Sequence, residues 1–107
     1  MMELLPEDLK NQLPKLYAQE GAEDHFVYIK YFFPAANWTW FVTEGEPQDD
    51  DFLFFGYVIG LEKEWGYFTL KQLEEIEFRG LTVERDLYFK QENFSSCLKR
   101  WKLERGG

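Results

Sequence analysis

The stretch NWTWFVTEGEPQDDDFLFFGYVIG (residues 37–60) decides the fold. Two runs rich in aromatic and β-branched residues, WTWFVTE (38–44) and FLFFGYVIG (52–60), flank a polar segment containing Gly45 and Pro47. Such runs suit a pleated, partly buried surface, and Gly and Pro between them signal a turn. The stretch therefore reads as two antiparallel strands joined by an acidic hairpin over 45–51, with Gly56 marking a bulge or a close backbone approach. In the second run both faces are apolar: Phe52, Phe54 and Val58 on one side, Leu53, Phe55, Tyr57 and Ile59 on the other. A strand of this kind needs cover on both faces. Helices can supply one layer. The second must come from loops, the C-terminal tail or another chain, and a homodimer would satisfy it.

Working outward, HFVYIKYFF (25–33) reads as a strand before the hairpin, ended by Pro34, and WGYFT (65–69) as a short one after it. LLPEDLKNQLPKLYAQE opens the chain with a helix: Pro6 suits the first helical position, and Leu5, Leu9, Leu13 and Leu16 form one stripe. Pro14 breaks it near Leu13. After the strands the period changes. Thr69 and Gln72 form a capping-box pattern, and Leu70, Leu73 and Ile76 share a helical face up to Gly80. LTVERDLYF (81–89) is extended or irregular, and NFSSCLKRWKLER regains helical spacing through Phe94, Cys97, Leu98 and Trp101. The expected fold is α+β: one domain over residues 1–107, an antiparallel four-stranded meander sheet, an N-terminal helix, and helices following the sheet.

The bulk numbers bound the function. A chain of 107 residues with 45% apolar and 20% aromatic content has one small core and is not disordered. Residues 1–54 hold eleven Asp/Glu against three Lys/Arg, a balance of −8, whereas 55–107 hold nine of each. An acidic half disfavours direct contact with nucleic acid or anionic membranes. One cysteine, Cys97, excludes an internal disulfide and a multi-cysteine zinc site. MMELLPEDLK has no signal-peptide pattern, and the longest apolar run, FLFFGYVIGL, falls well short of the roughly 20 residues of a membrane helix. The expected location is the cytoplasm.

Candidate chemistry is sparse. Glu44, Glu46, Asp49, Asp50 and Asp51 crowd the hairpin, but the aspartates are consecutive and lack the alternation and Gly turn of a calcium loop, so a solvated turn is expected and no metal. No nucleophile, phosphate-loop or metal motif is present, and no cofactor is expected. His25 is the only histidine, and Cys97 lies on the apolar face of its helix. In VERDLYF (83–89), Glu84, Arg85 and Asp86 are candidates for a structural ion-pair network. Trp38 and Trp40 could serve as stacking platforms, but their neighbours are acidic, so core or protein interface is favoured over bases.

Read together, TWFVTE, the Phe-Gly of the third strand, GYFTLKQLEE and VERDLYF, with LLPEDLKNQLPKLYA ahead of them, resemble the domain of unknown function 2958 family. These are small proteins, or domains, of plasmids, phages and integrated mobile elements. The resemblance spans residues 4–90 and leaves 91–107 as a C-terminal helical extension. It implies a mobile-element setting and carries over no reaction, cofactor or catalytic residue. The expected function is a non-enzymatic accessory protein contacting a protein partner, or a second copy, through Trp38, Trp40 and the hairpin acids. An acidic anti-restriction DNA mimic is the first alternative. A small enzyme using Glu44, Glu84 and Asp86 is the second.

Overall fold

The computed structural model describes residues 2–105; residues 1, 106 and 107 of the expected single domain lie outside the described residues. The elements run α1 (Glu7–Gln12), β1 (Phe26–Val27), β2 (Ile29–Phe33), β3 (Trp38–Gln48), β4 (Asp51–Ile59), β5 (Lys63–Thr69), α2 (Leu70–Glu75), β6 (Glu77–Phe78), β7 (Leu81–Thr82), β8 (Glu84–Arg85), β9 (Glu92–Asn93) and α3 (Phe94–Glu104). The main sheet is antiparallel with order β5-β4-β3-β2-β8. The expected meander is β2 to β5. A fifth strand, formed by Glu84–Arg85 of VERDLYF, joins the free edge of β2, so the sheet has five strands rather than four.

The central hairpin is tighter than a loop over 45–51. The ladder of β3 on β4 continues to Gln48 opposite Asp51, and only Asp49 and Asp50 remain in the turn. Asp49 takes φ 53°, in keeping with the positive φ that two-residue hairpin turns demand. Between Val42 and Glu44 the register slips by one residue, which makes Thr43 the extra residue of a β-bulge. Gly56 lies on the neighbouring strand opposite Val42, and a Cβ there would run into the Phe41 carbonyl. The glycine is thus a close-approach residue, and the bulge is on its partner.

Each face of the sheet has its own cover. On one face Ile29, Tyr31, Trp40, Val42, Phe52, Phe54 and Phe68 pack beneath Leu5, Leu9 and Leu13 of the N-terminal segment and Leu70, Leu73 and Ile76 of the α2 region. The capping box at Thr69 and Gln72 starts α2 as its sequence predicts. The helix ends at Glu75, earlier than Gly80, with Ile76 already extended, because Arg79 and Gly80 (φ 52° and 84°) form the turn of the β6–β7 hairpin. On the other face Val27, Phe41 and Ile59 pack against Phe94, Cys97, Leu98 and Trp101. The chain's own tail supplies the second layer, so no partner is needed to cover the apolar face of β4.

Asp24 fixes this tail in place. Its carboxylate accepts the Ser95 amide (3.0 Å) and hydroxyl (2.5 Å), and the Phe94 amide donates to the His25 carbonyl at 2.7 Å. Asn93, the residue preceding α3, makes no side-chain cap, so Asp24 caps the helix from across the fold. No helix of the described residues is long and apolar enough to cross a membrane.

Candidate functional site

The bulge explains how a glutamate comes to be buried at the centre of the sheet. Ladder pairing of β2 with β3 ends at Ile29 opposite Val42, leaving the β3 edge open beyond that point. The segment after α1 runs along this edge in place of a strand: the Gly45 amide donates to the Pro14 carbonyl at 3.0 Å. The one-residue slip puts Glu44 opposite Phe55, on the face shared with Phe41 and Tyr57. There Glu44 is only 3% exposed. Its Oε1 accepts the Tyr17 amide at 2.8 Å and its Oε2 the Gln19 amide at 2.7 Å. Glu46 Oε1 accepts the Leu16 amide at 3.1 Å. Gln19 completes the seam, donating through Nε2 to the Phe26 and Thr43 carbonyls (both 2.9 Å) and accepting the Phe26 amide at 2.6 Å.

These contacts hold Tyr17 at φ 72°, a conformation a bulky residue adopts only when its surroundings impose it. Tyr17, Glu20 and Gly21 form one wall of a cleft of about 270 Å³, with His25, Glu44, Phe55 and Tyr67 making up the rest. Among the described residues no cation lies within ion-pair distance of Glu44. His25 stacks obliquely on Trp65 at 4.9 Å between ring centres, and its Nδ1 is buried without a hydrogen-bond partner among the described residues. The neighbouring Tyr17 hydroxyl holds the Tyr67 phenol above its ordinary range, with partial burial and the negative charges of the cleft adding to the effect.

Beside the cleft runs an aromatic row along β4 and β5. Tyr67, Phe55 and Trp65 follow one another at 5.0 and 5.8 Å, and Trp65 also meets Tyr57 at 5.3 Å and Phe94 at 4.8 Å. Its outer members stay in solvent: Tyr67 is 50% exposed and Trp65 37%. They stand on β5, the outermost strand of the sheet.

The residues singled out from sequence are placed differently. Trp40 is buried and Trp38 half-buried, the two rings 5.8 Å apart and packed into the opposite face, so they form core rather than a platform. Trp38 lies where any side chain on Gly60 would have to be, which ties it to the β4–β5 connection. Of the hairpin acids, Glu44 and Glu46 anchor the Pro14–Gln19 segment. Asp50 accepts Lys71 Nζ at 2.7 Å, and Asp51 Oδ1 accepts the Phe52 and Lys71 amides at 2.8 and 3.1 Å. Asp49 is exposed in the turn. No group of three or more potential metal ligands forms among the described residues.

Glu84, Arg85 and Asp86 do not pair with one another, because successive residues of an extended segment point to opposite faces. Asp86 pairs with Lys30 at 3.4 Å. Arg85 stands opposite Tyr31 and reaches the Glu3 carbonyl at 3.5 Å, and Glu84 stands opposite Phe32. Asp86 lines a second cleft, with Lys30, Arg85, Gln12 and Gln91, separate from that of Glu44. The carboxylates proposed for catalysis are thus divided between two places. Burial pushes the Cys97 thiol up to about 12, so it is protonated at neutral pH and poorly suited as a nucleophile.

Tyr17, Glu20, His25, Trp65 and Tyr67 are not among the site residues that the sequence alone suggests. Cross-strand pairing could have pointed to two of them, since Trp65 and Tyr67 face the same side as Tyr57 and Phe55. A family model described as a protein of unknown function matches residues 4–104, a span that runs past VERDLYF and takes in all of α3. No curated protein and no solved structure matches the chain.

Proposed function

The chain belongs to the family of proteins of unknown function DUF2958, and on that footing we propose that it is a non-enzymatic module that binds a protein partner through the aromatic edge of β5. One observation carries this reading: two large aromatic side chains on an outermost strand, Tyr67 half-exposed and Trp65 about one-third exposed, reach solvent from an aromatic row packed beneath them. Tryptophan and tyrosine dominate the energetics of protein contacts, and an edge strand offers unpaired backbone groups to an incoming chain. In this reading the protein serves as a cytoplasmic accessory factor of a mobile element, as its family resemblance implies.

The two alternatives have less support. A DNA mimic needs carboxylates free along a ridge, whereas Glu44 and Glu46 point at backbone amides and Asp50 and Asp51 bind the start of α2. A carboxylate enzyme needs its acids together, and Glu44 and Asp86 line different clefts. The test is a photo-crosslinking amino acid placed at Tyr67 and, as a control, at Leu103, which is 74% exposed on α3. A discrete adduct from position 67 alone is expected. Absence of an adduct there, or equal adducts at both positions, would refute docking through this edge.

A further inference from the structure

The cleft between Tyr17, Glu44 and Tyr67 has a combination of features that the aromatic edge alone does not explain. It contains a carboxylate that is almost fully buried, hydrogen-bonded to two amides, and without a cationic neighbour within ion-pair distance among the described residues. Its other walls are the rings of Tyr17, Phe55, His25 and Tyr67, with Glu20 adding a second acid. Burying a charge is costly, and backbone amides compensate it only in part. Aromatic faces attract cations through their quadrupole, and the attraction strengthens where water is excluded. A carboxylate among aromatic rings is therefore complementary to a flat, weakly hydrated cation. Guanidinium fits that description better than ammonium, because it is planar and stacks on rings.

Building on the docking surface proposed above, we infer that this cleft receives an arginine side chain from the protein partner, held by Glu44 and Glu20 and flanked by Tyr17 and Tyr67. The cleft adjoins β5, so a chain laid along that edge passes its mouth. The aromatic row then supplies contact area, and the cleft supplies selection for a basic residue.

His25 is the only histidine, so its imidazole Hε1 gives a single reporter resonance on the cleft wall. The experiment titrates the full chain with N-acetyl-arginine-N-methylamide, followed by NMR at that resonance. The uncharged citrulline analogue, nearly the same shape, serves as control. A saturable shift with arginine and none with citrulline is expected. Tyr67→Ala should weaken arginine binding about threefold to thirtyfold. Glu20→Gln should weaken it about twofold to fivefold, and increasingly at low salt. Both side chains lie at the surface, so these variants avoid the Glu44 anchor on which the fold depends. Equal shifts from arginine and citrulline, or undiminished binding in Tyr67→Ala, would overturn the inference. If arginine gives no shift while crosslinking at position 67 persists, the guanidinium site falls and the docking surface stands. If arginine binds but no crosslink forms, the reverse holds.

Discussion

Glu44→Gln is the most informative single substitution. The side chain keeps its volume, but one acceptor oxygen becomes an amide nitrogen facing a backbone N–H. In the native chain the two bonds, at 2.8 and 2.7 Å, go to a carboxylate that is 3% exposed. Hydrogen bonds to a charged group contribute about 1.5–3 kcal/mol each, a neutral one about 0.5–1.5, and a buried N–H left without an acceptor costs about 1–3. Glutamine retains one bond at the neutral value and orphans the other donor, so the expected loss is about 2–4 kcal/mol. Urea unfolding followed by circular dichroism reads this as a midpoint about 1–3 M lower, given the slopes usual for small proteins. Hydrogen exchange adds a local test, because the Tyr17 and Gln19 amides should lose protection before the β3–β4 ladder does. A midpoint within about 0.3 M of the parent, with those amides still protected, would refute the claim that Glu44 holds this segment against the sheet.

Three further outcomes follow from particular contacts. Gly56→Ala should cost about 2–3 kcal/mol by urea unfolding, because the new methyl meets the rigid Phe41 carbonyl rather than a side chain that can move; a neutral result would mean the strands can separate there. Arg85→Ala should lose under about 1 kcal/mol, having no ion pair among the described residues, whereas Asp86→Ala should lose about 1–3, since it leaves the part-buried Lys30 only its longer contact with Glu104 at 3.9 Å and frees the Tyr88 amide; equal losses would contradict this division. Asp24 is held below its ordinary carboxyl range by the Ser95 hydroxyl and amide, and Asp50 by Lys71. Groups depressed in the folded state contribute stability above their unfolded pKa, near 3.9, and lose it as the pH falls through the folded value. The contribution of these two groups should therefore be constant from pH 5 to 8 and decline below about pH 4, which a series of urea midpoints would show.

Local patterns in the sequence make much of the fold legible. Aromatic and β-branched runs around turn residues place the β3–β4 hairpin, Thr69 and Gln72 announce α2, and the apolar character of both faces of β4 calls for two covering layers. The second cover is not written in any local pattern, because the stripe of Phe94, Cys97, Leu98 and Trp101 shows that α3 has an apolar face without showing what it meets. The long-range anchor, Asp24 to Ser95, spans 71 residues and leaves no local trace. Glu44 was misplaced for a different reason. Strict alternation along 38–44 sets Glu44 on the face of Trp40 and Val42; the one-residue bulge at Thr43 shifts the pleat and turns it instead to the face of Phe41 and Tyr57, where it is buried. The candidate site inherits this difficulty, since its carboxylate depends on the bulge, its Tyr17 wall on a positive φ, and its Tyr67 wall on pairing across β4 and β5.

Docking through β5 is tested most directly by capture. The parent chain and a Trp65→Ser/Tyr67→Ser variant, the latter shown by circular dichroism to be folded under the assay conditions, are immobilised at equal density and challenged with the same lysate. The species that crosslinks at position 67 is then quantified on both. Truncating two interface aromatics typically costs at least about 2 kcal/mol, or roughly thirtyfold in affinity, so the account predicts that the variant loses nearly all of this species. Equal retention by parent and variant would contradict it.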